Sequence, residues 1–395
     1  MSLLCSVLLI LSACHTTTSP PPLSSDSGIV VADVTKYSEI YETYMQFRHL
    51  TAAEQTAYGI IYTAVQDHFR QETIIQNEAG ESVPGIRISL TTANLTVQQI
   101  SRTFEAFLQD NPAFHFIDRT YSLEGHETHG TKRYETLALY YTMDAAQRNT
   151  TTQQLRDAIQ SIVNGCPVTD DHYVMELYLH DQLLSFCTYD QAAAENPSLH
   201  SNAYTAYGAL VEGKAVCEGY AKAMQMLLTT VAIPSTTVRG YSADNQTGHM
   251  WNLVQINAEF YYLDPTWNDG EKQYHYTYFN ITSETLRQTH IIDANALFST
   301  TCTATANNYF IRNNTFISSY DRDDIAVAIA AQMKAGATAV HLRFADGKYE
   351  NALLFLKNTT LTKKMVNSHL PEGMLMWDYE LISHGKQNTL SIHKR

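Results

Sequence analysis

The sequence is short of positive charge. Of 395 residues, 26 are Lys or Arg against 40 Asp or Glu, giving a formal net charge of −14. A surface this acidic repels nucleic-acid phosphates and anionic headgroups, so neither is an expected partner. Charged residues make up 17% and hydrophobic ones 44%. That balance is too apolar for disorder and ordinary for a chain that buries a core. The six cysteines contain no CxxC pair, which excludes a zinc ribbon. Past the first residues no apolar run approaches bilayer length, so the rest is expected to be soluble. The length predicts two to three domains.

The first residues read as an address. Leu3-Leu4 and Val7-Leu8-Leu9-Ile10-Leu11 form a short apolar run, with no Lys or Arg before it, ending at Leu11-Ser12-Ala13-Cys14. A span this short cannot cross a bilayer as a helix, which favours a processed signal. The small residues before Cys14 resemble a bacterial lipobox, in which the cysteine is lipidated and becomes the mature N-terminus. His15 at the next position, not Asp, resembles the pattern that avoids inner-membrane retention in a two-membrane cell. The stretch His15 to Gly28 is rich in Ser, Thr and Pro, as a flexible tether is. The expected location is the cell envelope, with the protein held to the membrane by lipid on Cys14. On this reading Cys5 leaves with the signal. Cys166, Cys187, Cys217 and Cys302 remain, and a Cys166–Cys187 bridge is open but unsupported.

The chain is divided as signal 1–14, tether 15–32, a mixed helical region 33–165, a catalytic domain 166–300 and a small α/β domain 301–395. Apolar residues at helical spacing predict helices over 51–76 and 95–109, the second opened by a capping box from Thr96 to Gln99 and stopped at Asn111-Pro112. Residues 133–142 are β-rich. His126-Glu127-Thr128-His129 has its histidines three apart between Gly125 and Gly130. A zincin helix needs a spacing of four, so this segment reads as a loop and no metal is expected. In the last domain, 309–318 and 338–344 read as strands. Residues 321–335 and 349–356 read as helices, the first stopped at Gly336. Residues 377–382 and 389–393 read as a terminal hairpin.

The chemistry lies between 170 and 280. A helix over 173–186 is followed by a polar loop over 195–202. Next comes Gly213-Lys214-Ala215-Val216-Cys217-Glu218-Gly219-Tyr220-Ala221, then apolar residues at Met224, Leu228 and Val231 and a stop at Pro234. This places Cys217 at a helix N-terminus. Unpaired backbone N–H groups and the helix dipole there favour a thiolate and can receive an oxyanion. Gly213 and Gly219 let the backbone turn and approach closely. Taken alone, a free cysteine is more often a buried inert one.

Two further residues change that balance. His249-Met250-Trp251-Asn252-Leu253-Val254-Gln255-Ile256, a turn at Asn257-Ala258, and Glu259-Phe260-Tyr261-Tyr262-Leu263-Asp264 make a hairpin pattern. A two-residue turn sets Trp251 opposite Asp264, so His249 and Asp264 become diagonal neighbours on one face. Nucleophile, base and orienting carboxylate then form a Cys-His-Asp set.

The blocks around Cys217, the Gly248-His249-Met250-Trp251-Asn252 block and Tyr261-Tyr262-Leu263-Asp264-Pro265-Thr266-Trp267 resemble, in order, the signature blocks of the bacterial transglutaminase-like superfamily. The separations, 32 residues from Cys217 to His249 and 15 from His249 to Asp264, are compatible. The resemblance implies an α+β fold: a papain-like core with the Cys-bearing helix on an antiparallel sheet carrying His and Asp. It implies a catalytic triad of Cys217, His249 and Asp264 with no cofactor. It also implies thiol-dependent acyl transfer or hydrolysis on protein or peptide amides. Members include crosslinkers, deamidases, peptidases and inactive scaffolds. A non-enzymatic envelope binding protein that retains the fold is therefore the alternative. The short polar loop over 242–248 suggests an open cleft and favours hydrolysis.

Overall fold

The computed structural model describes residues 44–91, 93, 95–128, 131–196, 201–270 and 275–395. The signal, the tether and Cys14 lie outside the described residues. The fold is mixed α+β. The chain separates into two compact units. One takes its described residues from Met1–Arg239, His249–Gln255 and Ile292–Thr300, the other from Gly240–Gly248, Ile256–Ile291 and Thr301–Arg395.

The first unit opens with helix α1 (Ala52–His68), begun by a capping box between Thr51 and Glu54. Its apolar face, Ala57, Ile61 and Val65, is fully buried. Strands β1 (Ile74–Gln76) and β2 (Ser82–Ser89) follow. Helix α2 (Val97–Asp110) carries the predicted Thr96–Gln99 capping box and buries Ile100, Phe104 and Phe107. Strands β3 (Ile117–Thr128) and β4 (Thr131–Tyr141) complete a sheet of order β1-β2-β4-β3. Here the structure corrects the reading of 126–129: His126, Glu127 and Thr128 are strand, paired to Arg133, Lys132 and Thr131. Gly125 marks a register shift in the ladder, so it acts as a bulge within the strand and not as a breaker. His129 and Gly130 lie outside the described residues.

Helix α3 (Ala145–Asn164) and helix α4 (His172–Phe186) lead to the short parallel pair β5 (Thr188–Tyr189) and β6 (Lys214–Ala215). Helix α5 (Cys217–Thr230) follows directly. Another sheet has the order β10-β7-β8-β9, with β7 at Ser235–Ser242, β8 at Gly248–Ile256, β9 at Glu259–Leu263 and β10 at His290–Ile292.

In the second unit, residues 309–318 are mostly not the expected strand. Asn308 caps a helical turn over Tyr309–Arg312, leaving only Phe316–Ile317 as strand β11. Helix α6 (Arg322–Lys334) is capped by Asp321 and ends before Gly336, whose φ of +89° suits glycine. Strand β12 (Ala339–Phe344) and helix α7 (Tyr349–Lys357) fall where predicted. Helix α8 (Thr359–Ser368) was not foreseen. Strands β13 (Tyr379–His384) and β14 (Thr389–Lys394) form the predicted terminal hairpin in a sheet of order β11-β12-β14-β13. Ile325, Ile329, Leu342, Leu356 and Ile392 fill its core.

Candidate active site

Cys217 is the first residue of α5. The preceding Val216 makes no side-chain cap, so no side chain from the N-cap takes the first backbone N–H groups of the helix. The chain on either side of Cys217 is fixed by four features. The β5–β6 pair ties Lys214 and Ala215 to the end of α4, and the Val216 amide donates to the Ala203 carbonyl at 2.9 Å. Gly213 adopts φ +70°. Gly219 lies so close to the chain around Ala203 that a Cβ would come within 2.4 Å of that carbonyl oxygen. Both glycines therefore do what the sequence reading assigned to them.

Cys217 is half-buried, whereas Cys166, Cys187 and Cys302 are buried, and none of the four is in a disulfide. The open Cys166–Cys187 bridge is thus not formed. Burial pushes the Cys302 thiol up to about 12, leaving it inert at neutral pH. Glu218, beside Cys217, would weaken a thiolate if it stood alone. Burial pushes its carboxyl up, but Lys222 at 2.7 Å and Arg119 at 3.1 Å outweigh that and hold it below the ordinary range. The Arg119 guanidinium also lies 4.1 Å over the Tyr204 ring. A cleft of about 310 Å³ opens beside Arg119, Tyr204 and Lys222.

His249 lies on β8, buried, with its ring tilted against Trp251 at 5.8 Å. Three residues on, the fully buried Asn252 donates from Nδ2 to the Ala221 carbonyl at 2.8 Å. That bond fixes the histidine strand to the cysteine helix one turn past Cys217. The sequence reading quoted Asn252 within its motif but gave it no role. The turn after β8 is as predicted: Asn257 and Ala258 have φ of +51° and +68°, the two left-handed residues of a type I′ hairpin turn.

Asp264 follows β9 in the second unit, 1% exposed. It caps the helical turn Pro265–Asn268, its Oδ1 accepting from the Trp267 amide at 3.1 Å. The Asp264 amide donates to Tyr278 at 3.1 Å, and Asn268 Oδ1 accepts from the Tyr278 amide at 2.8 Å. Its Oδ2 lies 3.0 Å from His290 Nε2, and His290 is equally buried. His290 was not among the residues singled out from sequence. It stands 26 residues downstream on another strand, outside every motif. Asp and His are both zinc ligand types, but this pair makes a direct hydrogen bond within the unit.

Residues 156–265 match the transglutaminase-like superfamily, whose enzymes work through a cysteine. The match spans the helix with Cys217, the strand with His249, and Asp264. No curated protein matches the chain. Two solved structures resemble it at 12% identity. One is described as a TGase, with a TM-score of 0.28, 53% of this chain covered and 59% of that one. The other is described as a candidate cysteine protease from Cytophaga hutchinsonii, with a TM-score of 0.23, 38% of this chain covered and 63% of that one. The chain thus spans about three fifths of the length of each.

Proposed function

We propose that the transglutaminase-like domain at residues 156–265 performs acyl transfer on protein or peptide amides through a thioester on Cys217. His249 takes the Cys217 proton as sulfur attacks the amide carbonyl. The carbonyl oxygen becomes an oxyanion that the N–H groups opening α5 can receive. As the C–N bond breaks, His249 returns the proton to the leaving amine, and the thioester remains. Water then attacks, giving up a proton to His249, and the acid leaves as the thiol is restored. Asp264 sets the His249 tautomer and stabilises its cation. No cofactor takes part in this scheme.

One observation carries the reading. The single half-buried cysteine among the four described sits on the first residue of a helix with no side-chain cap. A cysteine with only a packing role has no need of that position. A binding protein that merely keeps the fold has no need of Cys217, His249 and Asp264 together.

Water is the proposed acceptor over a lysine amine. The loop over 243–248 is largely exposed and turns back on itself through a Ser242–Thr247 backbone bond, which favours an open acceptor side. The test supplies purified protein with a Gln-rich protein and a fluorescent primary amine. Amine incorporation is followed against ammonia release and new N-termini. Hydrolysis is expected to exceed incorporation and to vanish in Cys217→Ala. Incorporation outrunning hydrolysis would overturn the preference, and new N-termini dependent on Cys217 would make the protein a peptidase.

We also propose that Cys14 carries lipid and holds the protein in the cell envelope. Cys14→Ala should move the protein from the membrane fraction to the soluble one. Unchanged membrane partition would contradict the anchor.

A further inference from the structure

We infer that His290, Thr289 and Gln387 are positioning residues for Asp264, so that the C-terminal region takes part in holding the active-site carboxylate. The inference rests on the reading of Asp264 as the orienting carboxylate. Its own observation is a buried line of hydrogen bonds within the second unit. Gln387 lies in the turn between β13 and β14 and donates from Nε2 to Thr289 Oγ1 at 3.3 Å and to the Thr285 carbonyl at 3.1 Å. Thr289 Oγ1 is 2.9 Å from His290 Nδ1, and His290 Nε2 is 3.0 Å from Asp264 Oδ2. Gln387, Thr289, His290 and Asp264 are 3%, 4%, 1% and 1% exposed.

Donor and acceptor roles along this line are mutually consistent. The Gln387 amide N–H is a donor only, so Thr289 Oγ1 accepts it. The Thr289 hydroxyl proton has two acceptors within reach, His290 Nδ1 at 2.9 Å and the Leu286 carbonyl at 3.5 Å, and the shorter contact assigns it to Nδ1, which accepts. That leaves the proton of a neutral imidazole on Nε2, aimed at Asp264. A neutral donor leaves Asp264 its full negative charge, whereas a cationic partner would neutralise it. The ring of His290 is held by Trp267, with centroids 4.3 Å apart, and by Tyr278 edge-on at 5.4 Å. The carboxylate is therefore gripped at Oδ1 by the Trp267 amide and at Oδ2 by His290. Hydrogen-bonded partners that orient the ligands of a metal site are worth about 10- to 100-fold in activity, and an orienting carboxylate is assigned the same scale here.

The test compares His290→Phe, His290→Gln, Thr289→Val and Gln387→Ala with the wild type. His290→Phe keeps a ring between Trp267 and Tyr278 but loses the donor, and His290→Gln keeps an N–H donor. The first readout is the rate at which iodoacetamide alkylates Cys217 near neutral pH. It is followed by kcat and KM for hydrolysis of the Gln-rich protein. His290→Phe should slow alkylation and lower kcat by about tenfold or more with KM little changed, and His290→Gln should restore most of both. Thr289→Val and Gln387→Ala should give smaller losses in the same direction. The second readout is the ¹⁵N-histidine spectrum, which should show His290 neutral with its proton on Nε2. Folded His290→Phe and Thr289→Val proteins with wild-type alkylation would overturn the inference, as would a proton on Nδ1. Should His290→Phe fail to fold, Thr289→Val and the spectrum still decide. A wild-type Cys217 no faster than a free cysteine would instead contradict the proposed function, so the two failures are told apart.

Discussion

Four cysteines of the same chemistry meet four different surroundings. Cys166, Cys187 and Cys302 are buried, and Cys217 alone is half-exposed. Alkylation of the folded protein, mapped by mass spectrometry, should therefore label Cys217 well before the other three. Equal labelling would mean that the helix start confers no reactivity. Gly219 is the second residue whose role is steric. Alanine there would meet the Ala203 carbonyl at 2.4 Å and the Ala215 Cβ at 2.8 Å. Gly219→Ala should cost about 1–3 kcal/mol, seen as a lower midpoint in urea, and should slow Cys217 alkylation by displacing the start of α5. Cys217, His249 and Asp264 could be proposed from sequence because each sits in a local pattern: a helix start, a strand and the strand that follows a tight turn. His290 was not. Its pairing with Asp264 is a tertiary contact, and nothing near it in sequence signals a partner 26 residues upstream.

At the scale of elements, the hairpin β8–β9 depends on two left-handed turn residues. Asn tolerates that region, but alanine pays about 1–2 kcal/mol for it. Ala258→Gly should therefore raise the melting temperature by up to a few degrees and leave activity intact. A lower melting temperature would mean that the turn is not limited by the φ of Ala258. A capping box explains why the start of α2 was readable: Thr96 with Gln99 is a bond between near neighbours, so the sequence contains the whole signal. Helix α3 has the same kind of box, Asp144 with Gln147, but was not foreseen. Helix α8 was missed because the helix reading stopped at Leu356, while a second helix begins after only Asn358, whose side-chain oxygen caps it by accepting from the Leu361 amide. The end of strand β3 read as a loop because the flanking glycines suggest a break, while the ladder absorbs Gly125 as a bulge.

Across the molecule, buried histidines make stability depend on pH. Burial lowers His115 to about 4, its N–H contact to the Ala113 carbonyl only partly opposing this. Burial, with the neighbouring His393 and His384, lowers His341 to about 3. Both are neutral in the folded protein and titrate near 6.5 when unfolded. Below pH 6.5 the unfolded chain binds more protons than the folded one. Their contribution is therefore complete above 6.5 and is lost as pH falls toward 4 and 3. Melting temperature should drop over that range, and His115→Gln should flatten the slope. A slope unchanged by that substitution would rule out His115 as a source.

The domain that carries Cys217 occupies residues 156–265, and its chemistry is the central claim. The most direct measurement is the acyl-enzyme itself. The protein is mixed with a Gln-containing peptide, quenched in acid within one turnover, and its peptides are weighed. An added acyl mass is expected on Cys217 alone, removed by neutral hydroxylamine as a thioester is, absent in Cys217→Ala and much reduced in His249→Ala. Amide turnover with no adduct on Cys217, or turnover that survives Cys217→Ala, would contradict it.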